Sequence, residues 1–540
     1  MSAAEAADQT HTAPSLAHRL PDRGIPLLEC TLGDLLRRSA KLHPDRRALV
    51  WAEGEGLATL THSQFLEEAE RVACWLLERA RPGDRIAPWS RNSVDWAVLE
   101  FGCALAGMVI AAWNPGWTDF ECAHALDLTE PALVLAGCDT RGISLIERAR
   151  DIAGDERVVP LMQLRELAAG SAPCELPMPA PSDLFLIQFT SGTTGRAKGA
   201  ALSHRSVVNA AWLRAALSGA DETDVWVNPS PLNHMGGAVT MLPGAIAVGG
   251  CYVVMDRFDA GEYLRLMRLA GATRIGGVPT VLLALLEHPD WQPGSVSLRA
   301  VGAGGAQVPQ PLIERLMHEF GAPVLVSYAQ SECPIITSST PGDPPRLLAE
   351  TVGRCAPHVE VKVVDPVSGE VLQLGETGEI CVRGAVVMQG YYRAPDDSAA
   401  AIDGDGFLHT GDLGALDAAG FVRVLGRVRD VIIRGGENIY PAEVEDALLG
   451  HADVGQVAVV GVPDARWGQQ VAAAVQLRPG TRPTEIDLEA HAATRLAHFK
   501  VPRRWLFVDA FPLTPNGKIA KVAVEKLFCE MPGAADKVEP

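Results

Sequence analysis

Positive charge is scarce in this sequence. Lys and Arg number 47 against 66 Asp and Glu, for a formal net charge of −19. No basic excess is available to meet phosphates over a wide face, which excludes a nucleic-acid partner but not a local site for one nucleotide. Long apolar runs are also missing. Gly236–Met255 carries no charge, but Pro243 and several glycines interrupt it. It reads as helix and strand of a large core rather than an integral membrane segment. No secretory leader is evident either. The first two dozen residues are Ala-rich and polar, with Glu5 and Asp8, and residues 1–25 read as a loose N-terminal tail. The eleven cysteines show no CxxC pair and no His-rich neighbourhood. They are expected to be reduced residues of a cytoplasmic protein, with no disulfide or zinc site, and Cys381 a structural thiol.

What is present suits a large soluble enzyme. The chain has 540 residues, 47% apolar and 21% charged, enough for more than one core. Thr31 caps a helix over Leu32–Leu42, and Thr61 to Gln64 forms a capping box before the stripe Phe65, Ala69, Val72, Leu76. Strands are expected at Ala48–Trp51, Arg85–Ala87 and Pro131–Ala136, with helix passing into strand over Trp96–Ala112. This alternation predicts βαβ units and an α/β fold: a large domain over residues 26–427 with mostly parallel sheets flanked by helices. Gly378–Gly384 and Gly390–Arg393 predict strands and turns of a small β subdomain within it. A small mobile α/β domain is expected over 428–540, with strands at Val457–Gly461 and Val471–Gln476 and helices at Glu443–Leu449 and Ile486–Ala497.

The most telling stretch is Leu184–Gly199, LFLIQFTSGTTGRAKG. An apolar strand runs into Thr190, Ser191, Gly192, Thr193, Thr194 and Gly195. Lys198 closes the loop, and Ser203 can cap a helix from His204. Strand, small hydroxylated loop, lysine and helix suit a polyphosphate: glycines admit backbone N–H groups, hydroxyls donate, and lysine adds charge. Gly/Ser/Thr clusters also form ordinary surface loops, and the spacing is not that of a Walker loop.

TSGTTGRAKG resembles the phosphate-loop signature of the adenylate-forming superfamily, which includes acyl-CoA synthetases, adenylation domains and luciferases. Further motifs follow in family order as far as Lys518. The resemblance implies that His234 in PSPLNHMGG, with Met235, lines an acyl pocket bordered by Gly304 and Ala329, and that Gly305 and Ala306 lie along adenine. In SYAQSE, Tyr328 would pack on adenine, Ser331 would reach the α-phosphate, and Glu332 would hold Mg²⁺. The family has Gly and Thr where Ala329 and Ser331 stand. Asp412 in LHTGDLG would take both ribose hydroxyls, and Arg427 would hold the ribose and phosphate side. Arg429 falls at the hinge. Gly435 and Gly436 would admit a pantetheine arm, Asn438 would face phosphate, and Lys518 in FPLTPNGKIAK would be the reaction lysine.

The activity so implied is AMP-forming activation of a carboxylic acid with ATP and Mg²⁺, followed by thioester formation with coenzyme A. Small or apolar residues around His234 and Gly302–Gly304, and no charge facing a polar substrate group, point to an apolar monocarboxylic acid. A medium-chain fatty acid is favoured and an aryl or cinnamate-like acid comes next. A stand-alone enzyme loading an acyl carrier protein is the alternative, and a non-catalytic nucleotide-binding relative a third. A homodimer is compatible with all three.

Overall fold

In this computed structural model residues 16–190, 197–513 and 519–530 are described. Their strands form four sheets. The first sets Val158–Pro160, Leu133–Ala136, Arg85–Trp89, Val109–Ile110 and Leu184–Thr190 in parallel, with Lys198–Ser203 antiparallel on its edge. The second has nine strands. Its centre, from Val324–Gln330 through Ala300–Gly304, Arg274–Gly277 and Val225–Asn228 to Cys251–Val254, is parallel. The alternation of strand and helix along the chain thus yields the expected α/β fold, because parallel neighbours need helical crossovers.

The third sheet is antiparallel. It contains Val359–Val364, Gly378–Gly384, Leu408–Leu416 and Val422–Arg427, and its first strand is His18–Arg19. Residues from Leu16 on are therefore docked rather than part of a loose tail. Ala17 is fully buried and His18 Nε2 lies 2.8 Å from Glu360 Oε1. A two-residue strand is too short to register as a pattern in sequence. The fourth sheet is built wholly from residues after the Val428–Asp430 turn, with Gly468–Leu477 at its centre. Gly390–Arg393 holds no strand, only an isolated bridge from Tyr391 to Ala200. The helix expected to reach Ala497 ends at Ala493.

The caps fall where the sequence places them. Thr31, Thr61 and Ser203 accept from the backbone N–H groups of Asp34, Gln64 and Ser206. The uncharged stretch after Gly236 is a π-helical turn, a short helix and a buried strand. No helix among the described residues is long and apolar enough to cross a membrane.

One cysteine expectation fails. Cys74 and Cys174 form a disulfide, with Cα atoms 5.6 Å apart. Cys74 lies on the helix His62–Leu77, and the extended segment holding Cys174 folds back over it. The two are 100 residues apart, so spacing could not announce the pair.

Glu100 is a second departure from pattern. It lies on the helix Val94–Leu105, 1% exposed, and neither carboxyl oxygen has a hydrogen-bond partner among the described residues. Burial alone holds its carboxyl well above the usual carboxylate range. The folded chain keeps this proton where the unfolded chain releases it. Stability therefore falls as pH rises above the unfolded value of about 4.3. Glu100→Gln is expected to match the parent near pH 5 and then to gain on it, by up to about 1.4 kcal/mol per pH unit. Unfolding midpoints at pH 5, 6.5 and 8 check this, and a gap that does not widen with pH contradicts it.

Candidate active site

Two clusters meet on the edge of the large parallel sheet, where the strand Val324–Gln330 turns into Cys333–Ser338. Tyr328 and Gln330 reach the same carboxylate across an irregularity in the pairing at Ala329. Asp412 comes from the antiparallel sheet, where it sits directly opposite Arg427. Its Oδ2 accepts from the Tyr328 hydroxyl at 2.5 Å and from Gln330 Nε2 at 2.5 Å. Its Oδ1 lies 3.2 Å from Arg427 Nε. Gln330 also donates to Thr410 O at 2.9 Å. Burial first, and then the Asp412 charge, hold the Tyr328 hydroxyl well above its ordinary pKa, so it remains a donor. A buried carboxylate surrounded by three donors and opened to solvent at Arg427 can take a pair of vicinal hydroxyls.

The second cluster surrounds Glu332. Its Oε1 accepts from the Tyr391 hydroxyl at 2.8 Å, and its carbonyl from Met388 N–H at 2.8 Å. Lys198 Nζ pairs with Asp397 and lies 5.2 Å from the centre of the Tyr391 ring. Backbone bonds stitch these pieces together: Ala201 N–H to Gly390 O at 2.9 Å and Tyr392 N–H to Gly199 O at 2.7 Å. The helix begins at His204 as expected, and a strand not foreseen in the sequence fills the interval from Lys198. Lys198 opens a strand that pairs antiparallel with Leu184–Thr190, so the Ser/Thr/Gly loop joins two strands of a hairpin. The apolar, small residues of GAALS pair with the preceding strand before Ser203 starts the helix. Thr190 Oγ1 lies 3.5 Å from Lys198 O. Ser191, Gly192, Thr193, Thr194 and Gly195 lie outside the described residues.

His234 stands in a turn tied to that hairpin, since Gln188 Nε2 donates to Asn233 O at 3.1 Å. Its Nδ1 accepts from Gly236 N–H at 3.2 Å. A side-chain carbon on Gly237 would sit 2.4 Å from Pro231 O, so the turn requires glycine there. Met235 is buried below. Gly304 ends its strand beside Ser327, and Gly305 and Ala306 turn outward, exposed. Ser331 is partly buried in the turn before Glu332.

The acyl side holds a charge that composition around His234 does not reveal. Arg214, on the helix His204–Leu217, points its guanidinium at the glycine strand. A carbon built on Gly302 would lie 3.9 Å from Arg214 Nη2. The expectation that no charge faces this region is overturned. Helix periodicity carries position 214 onto the face that holds Val207 and Ala211, which turns inward.

In the last sheet, Gly435 and Gly436 form a two-residue hairpin turn with φ of 60° and 90°, the conformation that selects glycine at both positions. A carbon on Gly435 would meet the Trp467 ring at 2.6 Å. The guanidinium carbons of Arg434 and Arg466 lie 4.8 and 5.0 Å from that ring. Asn438 belongs to the strand Glu437–Ile439. Arg429 sits in the Val428–Asp430 turn that leads from the third sheet to the fourth, 3.5 Å from Asp430. Gln307 Nε2 donates to Asp446 Oδ2 at 3.1 Å, so the loop after Ala306 touches the helix Pro441–Leu449. Lys518 lies outside the described residues; Leu513 and Ile519, on either side, form an antiparallel bridge.

Motif reading missed Gln330, Tyr391, Arg214 and Trp467. Gln330 stands inside the SYAQSE string, two residues from Tyr328, and that nearness is its one local signal. The other three are brought in by tertiary packing and carry no local signal.

The AMP-binding enzyme family matches residues 36–392, and the AMP-binding enzyme C-terminal domain matches 443–518. The chain is similar to the mitochondrial medium-chain acyl-CoA ligase ACSF2 of Bos taurus, with 34% identity over 92% of this chain and 87% of the relative. It is equally similar to the 3-[(3aS,4S,7aS)-7a-methyl-1,5-dioxo-octahydro-1H-inden-4-yl]propanoyl:CoA ligase of Rhodococcus jostii (strain RHA1), with 34% identity over 91% and 97% of the two chains. Among solved structures it resembles the Bacillus subtilis o-succinylbenzoate CoA synthetase MenE in complex with its acyl-adenylate intermediate. There the TM-score is 0.81 and identity 28%, over 92% of this chain and 99% of that one.

Proposed function

The chain belongs to the AMP-binding enzyme family and is an acid–thiol ligase of the AMP-forming type; we propose that it activates a carboxylic acid with an apolar body, of medium-chain size, and passes it to coenzyme A. The observation that carries this proposal is the convergence of Asp412, Tyr328, Gln330 and Arg427 within one strand turn of Glu332. A ribose-accepting carboxylate beside a phosphate-facing one is what an acyl-adenylate needs.

In the proposed sequence, the acid's carboxylate attacks the α-phosphorus of ATP. The acyl-adenylate forms and pyrophosphate leaves. Asp412 and Arg427 hold the ribose, and Tyr328 orients the base. Negative charge accumulates on the α-phosphate and is met by the hydroxyls of Thr190–Thr194, by Lys198 and by Lys518. Mg²⁺ fits the donors present, since it typically takes one or two carboxylates plus substrate phosphates. Glu332, oriented by Tyr391, would hold it, and the ion would neutralise phosphate charge. The thiol of coenzyme A then attacks the mixed anhydride and AMP leaves. Residues 428–540 act as the lid in this scheme, turning about Arg429 between the steps. His234 and Gly304 border the acyl group, and the Gly435–Gly436 turn and Trp467 border the acceptor.

The relatives' printed substrates share an acyl group with an apolar body: a medium chain in one, a dioxo-octahydroindenyl propanoyl group in another. The test is mass spectrometry of the purified protein with ATP, Mg²⁺, coenzyme A and a mixed panel of aliphatic and aromatic acids. Acyl-CoA and AMP are the expected products. Acyl-AMP that yields thioester only with an acyl carrier protein overturns the choice of acceptor, and no adenylate from any acid overturns the activity.

A further inference from the structure

Arg214 is a cation without a counter-charge. Its guanidinium faces Gly302, whose register partner on the adjacent strand is Gly276. The carboxylate beside the neighbouring Arg274 is already occupied. Asp224 is fully buried, 2.7 Å from Arg274 Nε, 3.1 Å from Arg299 Nη1 and hydrogen-bonded to Thr273. Arg274 takes the rest of its acceptors from Ser218. Arg214 has neither a hydrogen-bond acceptor nor an ion-pair partner among the described residues. Burial first, and then the like charge of Arg274, push it down to about 10. The side chain is half-buried, so its guanidinium keeps partial access to water while it faces the glycine strand, and a partly desolvated charge gains when a complementary acceptor meets it.

The position of this charge gives it a use. Gly302 lies two residues before Gly304 on one strand and therefore on the same face. Gly302, which the guanidinium faces, is set back about 7 Å along the strand from Gly304. The π-helical turn Gly236–Met241, which follows His234, packs on the same helix as Arg214. An acid bound with its carboxylate near Glu332 and its body along Gly304 would direct its far end at Arg214.

We propose that Arg214 is a specificity-determining residue that receives an oxygen acceptor, a second carboxylate or a ketone, at the far end of the acid's apolar body. This rests on the acid–CoA ligase activity proposed above. A guanidinium meets a carboxylate through two parallel N–H···O bonds and a ketone through one or two. A site with an unanswered donor also discriminates against a plain alkyl end, which would displace water from the guanidinium and leave it unpaired.

The experiment compares octanoate, octanedioate and 7-oxooctanoate as substrates for wild type, Arg214→Leu and Arg214→Gln, scored as kcat/KM for acyl-AMP formation. The wild type is expected to prefer an oxygen-terminated acid over octanoate by tenfold or more. Leu should reverse that order and raise octanoate turnover. Gln, a neutral donor that guards against a folding defect in the Leu variant, should put 7-oxooctanoate ahead of octanedioate, and a Gln variant that favours octanedioate overturns the proposal. A wild type that prefers octanoate or does not discriminate overturns the proposal, as does an equal change for all three acids in Arg214→Leu. If no acid is adenylated, the ligase activity itself fails, and calorimetry in the presence of AMP still decides the subsite. Tighter binding of octanedioate than of octanoate in wild type, lost in Arg214→Leu, supports it; equal binding overturns it.

Discussion

Asp412→Asn is expected to raise the KM for ATP about a hundredfold while leaving the fold intact. The carboxylate accepts from Tyr328 and Gln330 and forms an ion pair with Arg427 in the nucleotide-free chain. Ribose hydroxyls would enter from the Arg427 side, which is the exposed side of the network. Asparagine removes the charge and turns one acceptor into a donor, so one of the three protein donors or one ribose hydroxyl must face another donor. Hydrogen bonds to a charged group contribute about 1.5–3 kcal/mol each. Losing about 3 kcal/mol of nucleotide binding corresponds to roughly a hundredfold in affinity. Pyrophosphate exchange at varied ATP measures the change. The wild type should also discriminate against 2′-deoxy-ATP, and the variant should lose that discrimination. An unchanged KM with a fallen kcat would show that Asp412 does not hold the nucleotide.

Gln330 and Asp412 also show which parts of this protein can be read from its letters. Local elements were legible wherever a side chain acts on its own backbone. Thr31, Thr61 and Ser203 cap helices because their hydroxyls reach an N–H three residues on, and that rule is contained within four letters. The α/β class was legible because strand and helix periods alternate along the chain. Motif letters also marked Tyr328, Glu332, Asp412 and Arg427, which the fold gathers at one sheet edge. Their mutual contacts were not legible. Tyr328 meets Asp412 across 84 residues and Tyr391 meets Glu332 across 59. The Cys74–Cys174 disulfide and the reach of Arg214 to Gly302 arise the same way. The Gly435–Gly436 pair is the intermediate case. Its letters signal a hairpin turn, and the structure adds that Trp467 fills the space a side chain at 435 would need.

Lys518→Ala is expected to lower acyl-adenylate formation by about two to three orders of magnitude, the usual effect of removing one electrostatic donor from a developing charge. The same variant should still convert a premade acyl-adenylate to thioester at close to the wild-type rate. Adenylation builds charge on the α-phosphate, whereas thioester formation discharges AMP and needs room for the pantetheine arm. In the proposed scheme residues 428–540 take one arrangement for each step. The Val428–Asp430 turn leads from the third sheet to the fourth, the helix Pro441–Leu449 packs against Val422–Arg427, and Gln307 to Asp446 is a neutral-to-acid contact that can part without stranding a buried charge pair. Rapid-quench measurement of the two half-reactions separates the alternatives. Selective loss of the first supports a lid that presents Lys518 for adenylation and withdraws it afterwards. Equal loss of both would mean that Lys518 serves a single, unmoving site, and Arg429 would then be a connector rather than a hinge.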